Sequence, residues 1–167
     1  CYLLEQACEE FRKQAPWIPE PRKTLNMRII SSQPSHDRPH NISPSDDVVI
    51  VTTQTAVRRL HVDAVDRTGT QVTSKLCKFV EAAREPGLFV VLDEAHHAPA
   101  YGCRNLLVSK DTETPGIRTL VPEANLVGLT ATPTYTDETR RGWLGKIFEE
   151  RVIYEADQGE LTAQNIL

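Results

Sequence analysis

The chain has 167 residues, which is enough for one ordinary domain with a buried core. Its composition, 40% hydrophobic and 25% charged, excludes a disordered tail, a collagen-like repeat and a disulfide scaffold. The 19 basic and 23 acidic residues give a net charge of −4, which excludes binding of nucleic acid through bulk positive charge but allows contacts with a few phosphates. No apolar run approaches the ~18 residues of a membrane span, so we expect no membrane as a partner.

The start of the chain and its cysteines set two further expectations. The first residue is Cys1, and the first predicted helix has no start signal, so we expect a segment of a longer protein. The four cysteines show no paired metal-ligand spacing. Reduced thiols in an intracellular, cytoplasmic protein are therefore the expectation.

The first quarter of the chain predicts a helix, a strand and a loop. Residues 2–14 place apolar side chains on one helical face, and Pro16 ends this helix. Leu25–Ile30 is typical of a strand. The Ser-, Pro- and His-rich residues that follow, 31–47, predict a loop.

From residue 48 onward, predicted strands alternate with predicted helices. Val48–Val51 and Leu88–Leu92 are apolar runs typical of strands that are buried on both faces. Between them we expect a short helix, capped by Thr55 and running through Leu60, and a second helix over Val72–Ala83.

The last part of the chain continues this alternation. We expect a helix over Tyr101–Val108, a loop at 111–116, a strand over Leu126–Leu129, a helix capped by Asp137 and a last strand at Val152–Tyr154. Strands that alternate with helices indicate an α/β fold, with a mostly parallel sheet flanked by helices.

Polar residues follow three of the predicted strands. In an open parallel sheet, ligands bind at the carboxyl ends of the strands, so these positions are the candidates for function. The segments are Thr52-Thr53-Gln54-Thr55, Asp93-Glu94-Ala95-His96-His97 and Thr130-Ala131-Thr132-Pro133.

Asp93 and Glu94 have the chemistry that phosphate transfer needs. A carboxylate at the end of an apolar strand can hold Mg²⁺, which prefers oxygen ligands and keeps several waters. The neighbouring carboxylate can orient or deprotonate an attacking water, and His96 can relay the presence of nucleotide through a hydrogen bond. An isolated Asp-Glu pair more often caps the helix that follows it. Here, however, Asp-Glu-Ala-His occurs together with Thr-Ala-Thr-Pro, which makes coincidence remote.

These segments resemble motifs of superfamily II helicases and translocases. Residues 88–97, with Asp-Glu-Ala-His, resemble motif II of the DEAH group, and residues 128–133 resemble motif III. Residues 52–56 resemble the segment between motifs Ia and II that approaches the nucleic-acid backbone, and residues 3–6 resemble the helix after motif Ia. The doubled histidine is most similar to the branch that holds restriction-enzyme motor subunits. The resemblance covers nearly the whole chain.

The resemblance implies the first RecA-like motor domain, of P-loop NTPase architecture, with ATP and Mg²⁺ as cofactors. It implies that Asp93 holds Mg²⁺, that Glu94 activates the water and that His96 couples the nucleotide state to motif III. Thr130 and Thr132 would link hydrolysis to movement along the nucleic acid.

The same resemblance implies that Thr53, Gln54 and Thr55 contact the tracked strand. Arg58 lies just beyond this segment, and a phosphate contact competes there with an ordinary solvated position. For Thr55 the competing interpretation is a helix cap.

The chain departs from the family pattern at two points. It contains no Gly-x-x-x-x-Gly-Lys-[Ser/Thr], the loop that cradles phosphates, so we expect an incomplete motor domain in which truncation explains the missing loop. Tyr135 stands where many relatives of this branch carry an arginine, which puts in doubt any role borrowed for that position.

Two other groups of residues favour structural interpretations. Arg140, Arg141 and Lys146 form a basic patch for which a solvated face is favoured over contact with DNA or a partner domain. Trp143 has the helical spacing of a core residue, which favours packing over base stacking.

The sequence therefore predicts part of an ATP-dependent helicase or translocase that moves along nucleic acid, with DNA favoured over RNA. Residues 1–155 are assigned to the partial RecA-like domain, and residues 156–167 to the start of a linker toward a second RecA-like domain of the same longer chain. One alternative is a non-hydrolysing nucleic-acid-binding or scaffold module of the same fold, and another is an ATPase that acts on protein.

Overall fold

The order of helices and strands follows the alternation that the sequence predicts. The computed structural model describes residues 2–17, 25–65, 71–132, 142–149, 151–157, 159 and 162. Within them the helices are α1 (Tyr2–Gln14), α2 (Thr53–Arg59), α3 (Lys75–Ala82), α4 (Tyr101–Val108), α5 (Ile117–Leu120) and α6 (Trp143–Phe148). The strands are β1 (Met27–Ile30), β2 (Val48–Val51), β3 (Val62–Val65), β4 (Gln71–Thr73), β5 (Phe89–Asp93) and β6 (Asn125–Leu129).

The strands form three pairs, two of which are parallel. β1 pairs with β2 in a register that joins Ile30 to Val51, and β5 pairs with β6 in a register that joins Asp93 to Leu129. β3 and β4 form an antiparallel pair. Short parallel sheets flanked by helices confirm the predicted α/β class and are consistent with a partial RecA-like fold.

One cluster of buried apolar side chains connects the sheets and the helices. Its most deeply buried members are Ile30 of β1, Leu60 after α2, Leu107 of α4, Val121 after α5 and Ile147 of α6. Helix α4 contacts α2, α5 and α6, whereas α1 packs on β1 and β2. Both parallel pairs are thus anchored to the same core. None of the helices within the described ranges has the length and apolarity of a membrane span.

The prediction that the strands are buried on both faces is wrong for β5. Val90 and Leu92 pack against the core, but Phe89 is 65% exposed and Val91 is exposed as well. Side chains alternate between the two faces of a strand, and only one face of β5 packs against the core of the described residues. A continuous apolar run therefore does not establish burial on both sides.

The starts of two helices differ from the prediction. Helix α2 is capped by Thr52 rather than Thr55, because the Thr52 hydroxyl oxygen accepts a hydrogen bond of 3.3 Å from the Thr55 backbone N–H. Helix α3 begins at Lys75 rather than Val72, because Val72 belongs to β4. Ser74 caps α3, and its hydroxyl oxygen accepts a bond of 3.0 Å from the Leu76 N–H.

The predicted last strand is absent from the described structure. Residues 151–157 have no regular hydrogen-bonded structure there, and Ile153 is 81% exposed. β-branched residues favour a strand only where a neighbouring strand pairs with them, and no described strand does so here. Asp137, the predicted cap of the preceding helix, lies outside the described residues, as does Tyr135.

Candidate active site and nucleic-acid groove

The carboxylates and motif III meet at one edge of the β5–β6 sheet. Asp93 is the last residue of β5 and is paired with Leu129, the last residue of β6. Because the strands are parallel, Glu94 and Thr130 leave the sheet side by side. The structure thus brings the two segments together at the carboxyl ends of parallel strands, where ligands bind in such sheets.

A tight backbone turn follows β5. Glu94 has left-handed backbone angles, φ 52° and ψ 48°, which are unfavourable for a residue with a side chain by roughly 1–2 kcal/mol. Its N–H donates a hydrogen bond of 3.0 Å to the Asp93 carboxylate. The turn passes directly into the 3₁₀ helix Ala95–His97, which brings His96 back toward motif III.

The imidazole of His96 connects the acidic segment with motif III. Its Nδ1 atom lies 3.1 Å from Oγ1 of Thr130 and also 3.1 Å from Oε2 of Glu94. One ring nitrogen therefore contacts both the candidate base and the first threonine of motif III. The adjacent His97 ring lies against it, with 4.0 Å between the ring centroids.

Thr130 also forms hydrogen bonds with the backbone of Thr132. The Thr130 hydroxyl donates to the carbonyl oxygen of Thr132 at 3.2 Å, and it accepts from the N–H of Thr132 at 3.1 Å. The hydrogen bond between His96 Nδ1 and the Thr130 hydroxyl therefore continues into motif III. Thr132 joins this network through its backbone.

Gly128 permits this close arrangement. A Cβ atom at Gly128 would lie 2.6 Å from Cβ of Ala95 and 2.9 Å from Cζ of Phe148. The turn after β5 can thus approach β6 only because residue 128 has no side chain. Gly128 belongs to the motif III segment, but its role was not predicted. The close approach of two segments leaves no signal in the spacing of residues along the sequence.

The carboxylates are accessible from solvent, which any cation or water ligand requires. Asp93 is exposed, and the side chain of Glu94 is 63% exposed. Among the residues with described positions, no three His, Cys, Asp or Glu residues form a group that could hold a metal ion. One strand-end carboxylate nevertheless fits Mg²⁺, which commonly takes one or two carboxylates together with phosphate oxygens and waters.

A second cluster of polar residues lies at the ends of β1 and β2. Because Ile30 is paired with Val51, the segments that follow these parallel strands leave the sheet at the same edge. They enclose a groove with a volume of about 520 Å³. The groove is lined by Ser31, Ser32, Gln33, Thr52, Gln54, Thr55 and Arg58.

The groove contains three of the four residues predicted to bind nucleic acid. Gln54, Thr55 and Arg58 line it, whereas Thr53 is exposed at the start of α2 and is not part of the lining. No residue of the carboxylate site lines the groove, so the predicted residues form two separate clusters.

The opposite wall, formed by residues 31–33, was missed by sequence reasoning. Ser31 is fixed by His36, whose Nδ1 lies 2.7 Å from the Ser31 hydroxyl and whose Nε2 lies 3.1 Å from a carboxylate oxygen of Glu5 in α1. The guanidinium of Arg38 donates a bond of 2.7 Å to the Ser31 carbonyl oxygen. The signal was available, because these residues follow β1 as Thr52–Thr55 follow β2.

Comparison with known proteins identifies the chain's family. Paired parallel strands that end in an acidic segment and a threonine segment are consistent with a partial RecA-like fold. The family model described as "Type III restriction enzyme, res subunit" matches residues 2–135, and the chain belongs to this family of helicase-like ATPase motors. No curated protein sequence matches the chain.

Proposed function

We propose that the chain is the DEAH-type part of an ATP-dependent motor that moves along nucleic acid, with DNA as the favoured track. The carrying observation is the position of His96 Nδ1, 3.1 Å from both Glu94 and Thr130. A single imidazole nitrogen that contacts residues of both motifs II and III can link the state of the nucleotide site to a second element.

The acidic pair has two different roles in this mechanism. Asp93 would hold Mg²⁺, which would neutralise charge on the phosphates of ATP. Glu94 accepts a proton from the attacking water, for which its exposed carboxylate is available. Its Oε2 atom lies 3.1 Å from Nδ1 of His96, which places the carboxylate beside motif III.

The coupling residues act through the bond between His96 and Thr130. A shift of Glu94 during hydrolysis changes the contact of its carboxylate with His96 Nδ1, and through it the hydrogen bond between this nitrogen and Thr130. Thr130 in turn holds the backbone of Thr132, so the change reaches the end of the described motif III segment. We assign Thr130 and Thr132 to this relay rather than to contact with the nucleotide.

The groove at the ends of β1 and β2 contacts the nucleic-acid backbone. Hydroxyl and amide groups donate hydrogen bonds to phosphate oxygens without reading bases, and Arg58 supplies the positive charge. Thr53 extends the contact beyond the groove, at the exposed start of α2. Such binding through few contacts is compatible with the net charge of −4.

The chain has no phosphate-loop sequence, so we do not assign it the whole ATP site. We propose that ATP hydrolysis requires a phosphate loop and a second RecA-like domain in a longer protein. Residues 1–155 then belong to the first motor domain and residues 156–167 to the linker. An intracellular location agrees with the buried, free thiols of Cys8, Cys77 and Cys103.

Binding of a fluorescent single-stranded oligonucleotide tests the groove assignment. We expect Gln54→Ala combined with Arg58→Gln to weaken binding at low salt and to make it less salt-dependent, because a phosphate contact is lost. Arg59→Gln is the control, since it removes the same charge from the same helix but outside the groove lining. Equal effects of the two charge removals would contradict the groove as the binding site.

A further inference from the structure

Helices α4 and α6 carry aromatic rings and cations that alternate across one surface. The guanidinium carbon of Arg104 lies 5.7 Å from the ring centroid of Tyr101 and 4.5 Å from that of Trp143. The Nζ atom of Lys146 lies 5.0 Å from the centroid of the same Trp143 ring. We call Tyr101, Arg104, Trp143 and Lys146 the aromatic–basic row.

The two cations of the row have no acidic partner among the residues of described structure. Two other arginines do: Arg28 lies 3.2 Å from the Asp46 carboxylate, and Arg118 lies 2.9 Å from that of Glu149. Arg104 and Lys146 contact aromatic faces instead, which orient a cation but leave its charge unneutralised. The row is therefore a local positive surface on an acidic chain.

The aromatic residues suit a nucleic-acid strand better than an acidic protein surface. Tyr101 is 71% exposed, so its ring is available for stacking with a base. Trp143 is half-buried, and its ring contacts both cations. It is therefore neither a core residue, as the sequence predicts, nor a ring that is free for base stacking. Its place is to position the two cations. Arg140 and Arg141, the other members of the predicted basic patch, lie outside the described residues.

We propose that the aromatic–basic row is a second contact for single-stranded nucleic acid, in addition to the groove at the ends of β1 and β2. A base stacks on Tyr101, and the adjoining phosphates lie at Arg104 and Lys146. The inference rests on the proposed function, because it assumes that the chain engages a strand. It extends that function from one short contact to two contacts on different elements.

Salt-dependent binding of a single-stranded oligonucleotide to the 167-residue chain tests the inference. Each phosphate contact contributes about 0.7 to the slope of log K against log salt concentration. The double substitution Arg104→Gln and Lys146→Gln should therefore reduce the magnitude of this slope by about 1.4. Tyr101→Ala should weaken binding by roughly fivefold to 150-fold, the range for loss of one stacked base.

The control removes two charges elsewhere, with Lys78→Gln and Lys110→Gln, two exposed positions outside both contacts. Lys146→Gln alone changes an exposed position, so it keeps the test valid if the Arg104 substitution impairs folding. This single substitution should reduce the magnitude of the slope by about 0.7. Row variants that match the lysine control would overturn the inference. If only the groove variant weakened binding, the proposed function would stand and the second contact would be refuted. If the native chain bound no single strand at low salt, both the proposed function and the second contact would fail.

Discussion

The His96 imidazole joins two segments that lie far apart in the sequence. The residue types at the strand ends, Asp93, Glu94 and Thr130, were predictable because chemistry collects at the carboxyl ends of parallel strands. The contact of His96 Nδ1 with both Glu94 and Thr130 was not predictable, since it depends on the turn that follows β5. The left-handed backbone of Glu94 also left no sequence signal, because no glycine or asparagine marks that position.

Gly128→Ala tests the close approach of the turn after β5 to β6. The added methyl group would lie 2.6 Å from Cβ of Ala95, so the two segments must separate, and we expect a loss of ~1–3 kcal/mol in the free energy of unfolding. Gly102→Ala is the matched control. Its Cβ would approach only the side chain of Val57, at 3.3 Å, and alanine favours the helix at that position.

Chemical denaturation of the two glycine variants measures these effects. A free energy of unfolding that falls for Gly128→Ala but stays near the native value for Gly102→Ala is the expected result. Equal stability of the two variants would mean that the packing between the turn and β6 does not require a glycine.

At the scale of elements, runs with strong local signals were predicted well and elements that depend on partners were not. The four parallel strands and the helix Tyr101–Val108 were predicted with bounds within one or two residues, since apolar runs and turn residues define them locally. The β3–β4 pair was missed because Val72 also fits a helical pattern. The strand at Val152–Tyr154 was predicted from composition alone, although no described strand pairs with it.

Thr52→Ala tests the corrected start of α2. Loss of the hydroxyl that accepts from the Thr55 N–H should lower the free energy of unfolding by about 1 kcal/mol. Thr55→Ala should cost less, because Thr55 lies inside the helix, where alanine is the better helix former. Thermal unfolding of both variants, followed by circular dichroism, measures the difference. A larger loss for Thr55→Ala would restore Thr55 as the cap.

At the scale of the whole molecule, one core supports two separate polar clusters. The β5–β6 edge carries the acidic pair and motif III, and the β1–β2 edge carries the groove. Both sheets are anchored to the same buried cluster. Both clusters were predictable because ligands bind at the carboxyl ends of parallel strands. Residues 31–33 were recognised as the second wall of the groove from the fold.

Glu94 is the proposed base of an ATP-hydrolysing motor. The direct test is the ATPase rate of Glu94→Gln in a protein that joins this chain to a phosphate loop. Glutamine keeps the size and the hydrogen-bonding capacity of the side chain but cannot accept the proton, so hydrolysis should fall by roughly 10²–10⁴ while ATP binding is retained. The control is Glu123→Gln, which makes the same change at an exposed position away from both clusters and should leave the rate unaltered. Hydrolysis by Glu94→Gln at the native rate would contradict the account.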